Sequence, residues 1–128
     1  MALCRVTYTS RVARSVRFED AEEIARGSAV RNDALAVTGL LLYTPSHFIQ
    51  VLEGEQAAVR SVLERIYADS RHSAIRLVLE QAIEHREFDR WAMRASIVPR
   101  DMRVEGIEEL DHDALMGLLR QISDRIAA

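Results

Sequence analysis

Strand-like alternation and helix-like periodicity take turns along this chain in an order that predicts an α+β fold. A hairpin lies between two helical stretches, and two more strand-like runs follow the second. That order, strand, helix, strand, strand, helix, strand, strand, suits a ferredoxin-like βαββαββ mixed sheet with two helices on one face. A C-terminal stretch with a single apolar stripe adds a third helix, expected on the opposite face because its stripe must be buried.

Each element has its own warrant. Leu3 to Tyr8 alternates and is rich in β-formers, so it reads as a strand closed by Tyr8. From Phe18 to Asn32 the period turns helical. Phe18, Ala21, Ile24, Ala25 and Ser28 share one face, with Glu19, Glu22, Glu23 and Arg26 toward water. Gly27 either weakens this helix or lets something approach its backbone. Val37 to Tyr43 is a strand, and Thr44-Pro45-Ser46-His47 makes a turn with Pro at a favoured position. In the return arm Phe48, Gln50 and Leu52 point one way, Ile49 and Val51 the other, and Gly54 ends the hairpin. Glu55 to Ala68 is a helix with a stripe of Val59, Val62, Leu63 and Ile66. Ile75 to Ile83 and Trp91 to Val98 are the last strands. Asp111 to Ile126 is the final helix, its stripe formed by Leu115, Leu118, Leu119, Ile122 and Ile126. Residues 1–98 are expected to form one domain, and 99–128 a capping or output extension.

A chain of 128 residues, 48% hydrophobic, can build one core without metal or disulfides. A net charge of -3 argues for neither nucleic acid nor a membrane surface. Lys is absent and Arg takes its place throughout; codon bias is the plain reading of that pattern, and Arg-specific ion pairing the sharper alternative. The lone Cys4 sits in an apolar strand and suits a reducing cytoplasm. No signal peptide and no membrane-length apolar run is read, so a cytoplasmic location is expected. No pair of His or Cys has metal-binding spacing near His72, and no metal is expected.

Gln50 breaks an otherwise apolar strand. An orphaned carboxamide there costs on the order of 1–3 kcal/mol, so it demands a polar partner. In the inferred topology the first and third strands are central neighbours, which sets Tyr8 beside Gln50 if their faces match. Tyr8, Gln50 and Asn32 together can bind a polar, planar heterocycle, and the phenol can also give up an electron.

Fragments spread over residues 3–98 resemble the BLUF family, blue-light sensors that bind FAD. They are Val6-Thr7-Tyr8-Thr9-Ser10, Ser28 through Asn32, Val37 through Tyr43, and Phe48-Ile49-Gln50-Val51-Leu52-Glu53-Gly54. Arg65-Ile66 with Asp69 and Arg71-His72, and Trp91-Ala92-Met93, complete the set. The resemblance implies FAD held noncovalently between the two helices, with FMN or riboflavin as possible substitutes. No phosphate-cradling Gly loop is present, in keeping with a family that grips the flavin itself. Arg31 and Asp33 depart from the usual residues around Asn32, and the Pro45-Ser46 tip lacks the common glycine.

What the resemblance implies can be set against plainer readings. Asn32 would match the pyrimidine edge of the flavin, or merely end its helix. Gln50 would switch hydrogen-bond pattern by rotating or tautomerising, or simply bind backbone. Tyr8 would donate the electron, or be a strand-end tyrosine. Trp91 and Met93 share a strand face and would report the switch, or be packing. Arg65, Asp69, Arg71 and His72 would contact the ribityl chain or phosphates, or be a solvated helix end. Arg31 would bear on the ring edge or ribityl chain, with Ser28 and Ile66 beside the flavin. Ile24 and Phe48 would pack on the ring, or be plain core.

The expected function is therefore a light sensor and not an enzyme. Its signal is expected to pass to an unidentified separate protein or between copies of the chain, a homo-oligomer. A photochemically silent ferredoxin-like dimeric regulator is the alternative. An acylphosphatase-like hydrolase would need a phosphate loop after the first strand, where Thr9 to Arg14 has no glycine.

Overall fold

The structure, a computed structural model, describes residues 2–44, 46–88, 95–97, 107 and 110–127. In chain order the elements are β1 (Leu3–Val12), α1 (Phe18–Ala34), β2 (Thr38–Tyr43) and β3 (His47–Glu55). Then come α2 (Gln56–Ala68), β4 (His72–Ile83), β5 (Ala95–Ile97) and α3 (His112–Ala127). Trp91, Met93 and Pro45 lie outside the described residues, as do the side chains of Phe18, Ile122 and Ile126.

The expected α+β architecture is the observed one. The strands lie in the order β4-β1-β3-β2-β5. All pairs are antiparallel except β2 with β5, which makes the sheet mixed. One face packs on α1 and α2 through Val6, Ala21, Ala25, Leu41, Leu52, Val59 and Val62. The other packs on α3 through Leu40, Leu42, Ile49, Val51, Leu115, Met116 and Leu119. The period-2 reading of β3 thus holds across both layers.

Several boundaries differ from the sequence reading. β1 runs to Val12, so Tyr8 lies mid-strand and Thr9 to Val12 form no loop. β4 begins at His72, three residues early, because Arg11 pairs with Ser73 and Val12 with His72. A register shift opposite Ser10 accommodates the polar tail, with Ala74 at φ 50. The β2–β3 hairpin ladder stops just before Gly54, at Thr38 with Glu53, while β3 itself continues to Glu55 through pairing with β1.

Asn32 does not end α1, which runs on to Ala34. It does anchor the stop: its carbonyl accepts the amides of Leu35 (3.1 Å) and Val37 (2.8 Å). With Ala36 at φ 54 and its amide on Asp33, this is a Schellman-type closure. At the other end Asp20 accepts the Arg17 amide at 2.9 Å. Asp111 likewise caps α3, accepting the Ala114 amide at 2.9 Å.

Gly39, at φ 151, is the glycine β2 cannot replace. A Cβ there would stand 1.9 Å from the Val51 carbonyl oxygen.

A buried charge ties the layers together. Glu53, fully buried, meets Arg5 at 2.8 Å and accepts the amides of Glu87 (2.8 Å) and Phe88 (2.7 Å). Glu87 in turn pairs with Arg120 of α3 at 2.6 Å. Arg76 of β4 donates to the carbonyls of Ile107 (2.9 Å) and Leu110 (3.0 Å), which pins the approach to α3.

Candidate functional site

A cleft opens between α1, α2 and the sheet. Its volume, open mouth included, is about 680 Å³. Small residues at the inner face of α1, Ala21 and Ala25, bring that helix close to the strands. The floor is Tyr8 from β1, Leu41 from β2, and Phe48 and Gln50 from β3. Ile24, Ser28, Arg31 and Asn32 form the α1 wall, and Val62, Arg65 and Ile66 the α2 wall. Asp69, Arg71 and His72 close the end where α2 turns into β4. All twelve residues that the sequence reading placed at a flavin site line this one cleft.

Leu35, Leu41 and Val62 also line it and were not expected there. Val62 and Leu41 gave a usable signal, since each lies on the inward-facing side of its element. Leu35 follows the helix, and nothing in its local pattern marks it.

The antiparallel register sets Tyr8 directly across from Gln50, and Gln50 across from Leu41. The Tyr8 hydroxyl donates to Gln50 Oε1. Both side chains are 3% exposed. With its oxygen engaged by the phenol, the Gln50 amide has its N–H₂ end left as donor. Burial, and secondarily the charge of Asp69, push the Tyr8 phenol well above the usual tyrosine range. It is therefore a neutral O–H donor throughout physiological pH.

Asn32 is buried, and its side-chain Nδ2 has no hydrogen-bond partner among the described residues. Such a donor is costly unless something in the cleft accepts from it. A flavin, with ring carbonyls and N5 as acceptors, fits both this orphan and the Gln50 amide.

His72 is held at both nitrogens. Nε2 donates to the Ile66 carbonyl at 2.6 Å, which leaves Nδ1 to accept the Ser10 hydroxyl at 2.7 Å. Its ring meets Tyr8 and Phe48 edge-on, with centroids 6.4 and 6.1 Å apart. Arg71 grips Asp69 through both carboxylate oxygens, the closest contact 2.6 Å. That hydrogen bonding holds the Asp69 carboxyl below the usual aspartate range, against the opposing effect of burial.

Cys4 lies in the core between the sheet and the two helices, and burial, then the charge of Glu80, push its thiol upward. It is a packing residue. Among the described residues no cluster of His, Cys, Asp or Glu could hold a metal ion. No helix among them is long and apolar enough to cross a membrane.

Residues 3–94 match the model of a family described as BLUF, sensors of blue-light using FAD. Over 86 residues, 67% of this chain, the sequence is 35% identical to the photoactivated adenylate cyclase subunit alpha of Euglena gracilis. The chain spans only 8% of that relative's length. Among solved structures, one described as BlrB, a BLUF protein in its dark state, superposes with TM-score 0.72 at 38% identity. That alignment covers 75% of this chain and 73% of the other. The photo-activated state of BlsA superposes with TM-score 0.81 at 25% identity over 93% of each chain.

Proposed function

Because this chain belongs to the BLUF family of blue-light sensors that use FAD, we propose that it is a photoreceptor in which Tyr8 and Gln50 turn light absorption into a hydrogen-bond change. The family module is a photosensor and not an enzyme. Asn32, Gln50 and the cleft walls hold the flavin noncovalently, with Ile24 and Phe48 against the ring and Ser28 and Ile66 beside it. When bound, the flavin absorbs blue light and becomes an oxidant able to take an electron from a phenol.

The observation that carries the reading is the buried Tyr8 hydroxyl donating to Gln50 Oε1. A phenol this far from water loses an electron most readily when its proton leaves with it. Gln50 Oε1 is the acceptor already in place. As the amide gains a proton at Oε1 it releases one from Nε2 toward the cleft, so its donor and acceptor ends exchange. The side chain then presents a different hydrogen-bond pattern to the cleft without backbone movement. Return of the electron, and of the proton passed to the cleft, to Tyr8 leaves the amide in its exchanged form. The altered pattern at the ring edge is then the red-shifted signalling state, and reversal of the amide exchange resets it.

Trp91 and Met93 report the switch to the surface in this proposal. Residues 1–98 form the sensory domain, and 99–128 the capping and output extension. The FAD form of the cofactor, the cytoplasmic location, the homo-oligomer and a separate downstream protein belong to the same proposal. The relative's name couples light to an adenylate cyclase; here the receiver of the signal is a distinct partner.

The test is spectroscopic. The purified protein should be yellow, release flavin on denaturation, and show a reversible red shift under blue light. Tyr8→Phe and Gln50→Leu should each keep the flavin and lose the shift. A variant of either kind that cycled normally would remove its residue from the mechanism.

A further inference from the structure

Two cross-strand pairs lie side by side on the cleft face of β1 and β3. Tyr8 stands across from Gln50, and Ser10 across from Phe48. His72, which opens β4, packs against this group. Its ring is edge-on to Tyr8, with centroids 6.4 Å apart, and to Phe48 at 6.1 Å, both within the range of aromatic contact. Neither nitrogen of that ring is left for a ligand. The Ile66 carbonyl can only accept, so Nε2 carries the proton, and Nδ1 takes the Ser10 hydroxyl. With each nitrogen spent on the protein, His72 has no hydrogen bond to offer a ribityl chain or a phosphate, the contact that the resemblance implied for it.

The backbone bends where this contact is made. Thr9 pairs with Arg76 and Arg11 with Ser73, so Ser10 falls inside the register shift between β1 and β4. Within that shift Ala74 takes φ 50, a left-handed conformation that a Cβ makes costly. Beyond it the strand brings His72 to 2.7 Å from the Ser10 hydroxyl. The capping of α2 does not by itself call for a histidine. The Ile66 carbonyl, in the last turn, already accepts the Asp69 amide at 3.2 Å. Ser10 hydroxyl, His72 ring and Ile66 carbonyl thus run as one tie from β1 to α2, alongside Tyr8.

Building on the photochemical reading above, we infer that Ser10 and His72 are positioning residues for Tyr8. Their tie holds the imidazole as a fixed edge against the phenol ring and so keeps its hydroxyl on Gln50 Oε1. A phenol free to tilt lengthens that hydrogen bond, and loss of its electron slows because the proton has further to go. Without the tie, oxidation of Tyr8 should slow by about tenfold, the kind of effect that displacing a reacting group by a fraction of an ångström produces.

The experiment uses the full chain loaded with FAD. It measures the flavin fluorescence lifetime and the yield of the red-shifted state per absorbed photon. Ser10→Ala removes the hydroxyl at a position outside the cleft lining, and it should lengthen the lifetime and lower the yield. His72→Phe keeps a ring and loses both hydrogen bonds. It should do the same, and it carries the test where Ser10→Ala does not fold. In a Tyr8→Phe background neither change should lengthen the lifetime further, because both act through Tyr8. If Tyr8→Phe lengthens the lifetime and the other two variants do not, the positioning role alone is overturned. Further lengthening in the Tyr8→Phe background also overturns it, since the tie would then act on the flavin directly. A lifetime that Tyr8→Phe leaves untouched overturns the photochemical reading and the tie's role together.

Discussion

Asn32 has two separate jobs at the scale of one residue. Its backbone carbonyl closes α1, and its side-chain Nδ2 is left buried without a partner among the described residues. The plain reading of the sequence, an Asn that ends a helix, and the functional one are therefore compatible. Asn32→Ala should weaken flavin affinity by roughly 1–3 kcal/mol, about five- to 150-fold, through loss of one buried hydrogen bond. The flavin-free protein should melt no lower than wild type, since the orphaned donor goes too. Titration calorimetry and a thermal melt together check both signs. A large drop in the melting temperature without flavin would mean that Nδ2 has a structural partner. Tyr8 and Gln50 were legible in the sequence for a related reason. A polar residue at a strand position that faces a core announces that it needs a partner, and period-2 alternation names the face.

Among the elements, the legible parts were those whose pattern is local. The helices and the inner halves of the strands follow from periodicity. The polar tail of β1 and the start of β4 do not, because His72 and Ser73 are ordered by pairing with Val12 and Arg11 across a gap no local window spans. Glu53 is the clearest case. In sequence it stands only within the Phe48–Gly54 fragment, and no local pattern names its partners; in the fold its carboxylate is fully buried between Arg5, 48 residues away, and the amides of Glu87 and Phe88. Glu53→Ala should cost about 3–5 kcal/mol, since it strands a guanidinium and two amides. The outer link, Arg120 with Glu87, is more exposed, and Arg120→Ala should cost under about 1 kcal/mol. Chemical denaturation of the two variants tests that contrast. Equal losses would show that α3 depends on the surface pair as much as the sheet depends on the buried one.

For the whole molecule, a single sheet separates the cleft between α1 and α2 from α3, and β3 contributes to both sides. Removing residues 107–128 would uncover Leu40, Leu42, Ile49 and Val51, all now buried under α3. The shortened protein should keep a reversible red shift but aggregate more readily, as light scattering would report. In the full chain, hydrogen exchange of the α3 amides should differ between dark and light. Identical exchange in both states would place the output on another surface. Alternation has one more consequence, for how such a sensor can vary. Phe48 and Gln50 of β3 and Leu41 of β2 line the cleft; Ile49 and Val51 of β3 and Leu40 and Leu42 of β2 pack on α3. Substitutions on the two sets scarcely touch, so colour and lifetime can drift under one set of demands while partner choice drifts under another. A library confined to Leu40, Leu42, Ile49 and Val51 would vary how α3 seats on the sheet while leaving the cleft-lining side chains unchanged.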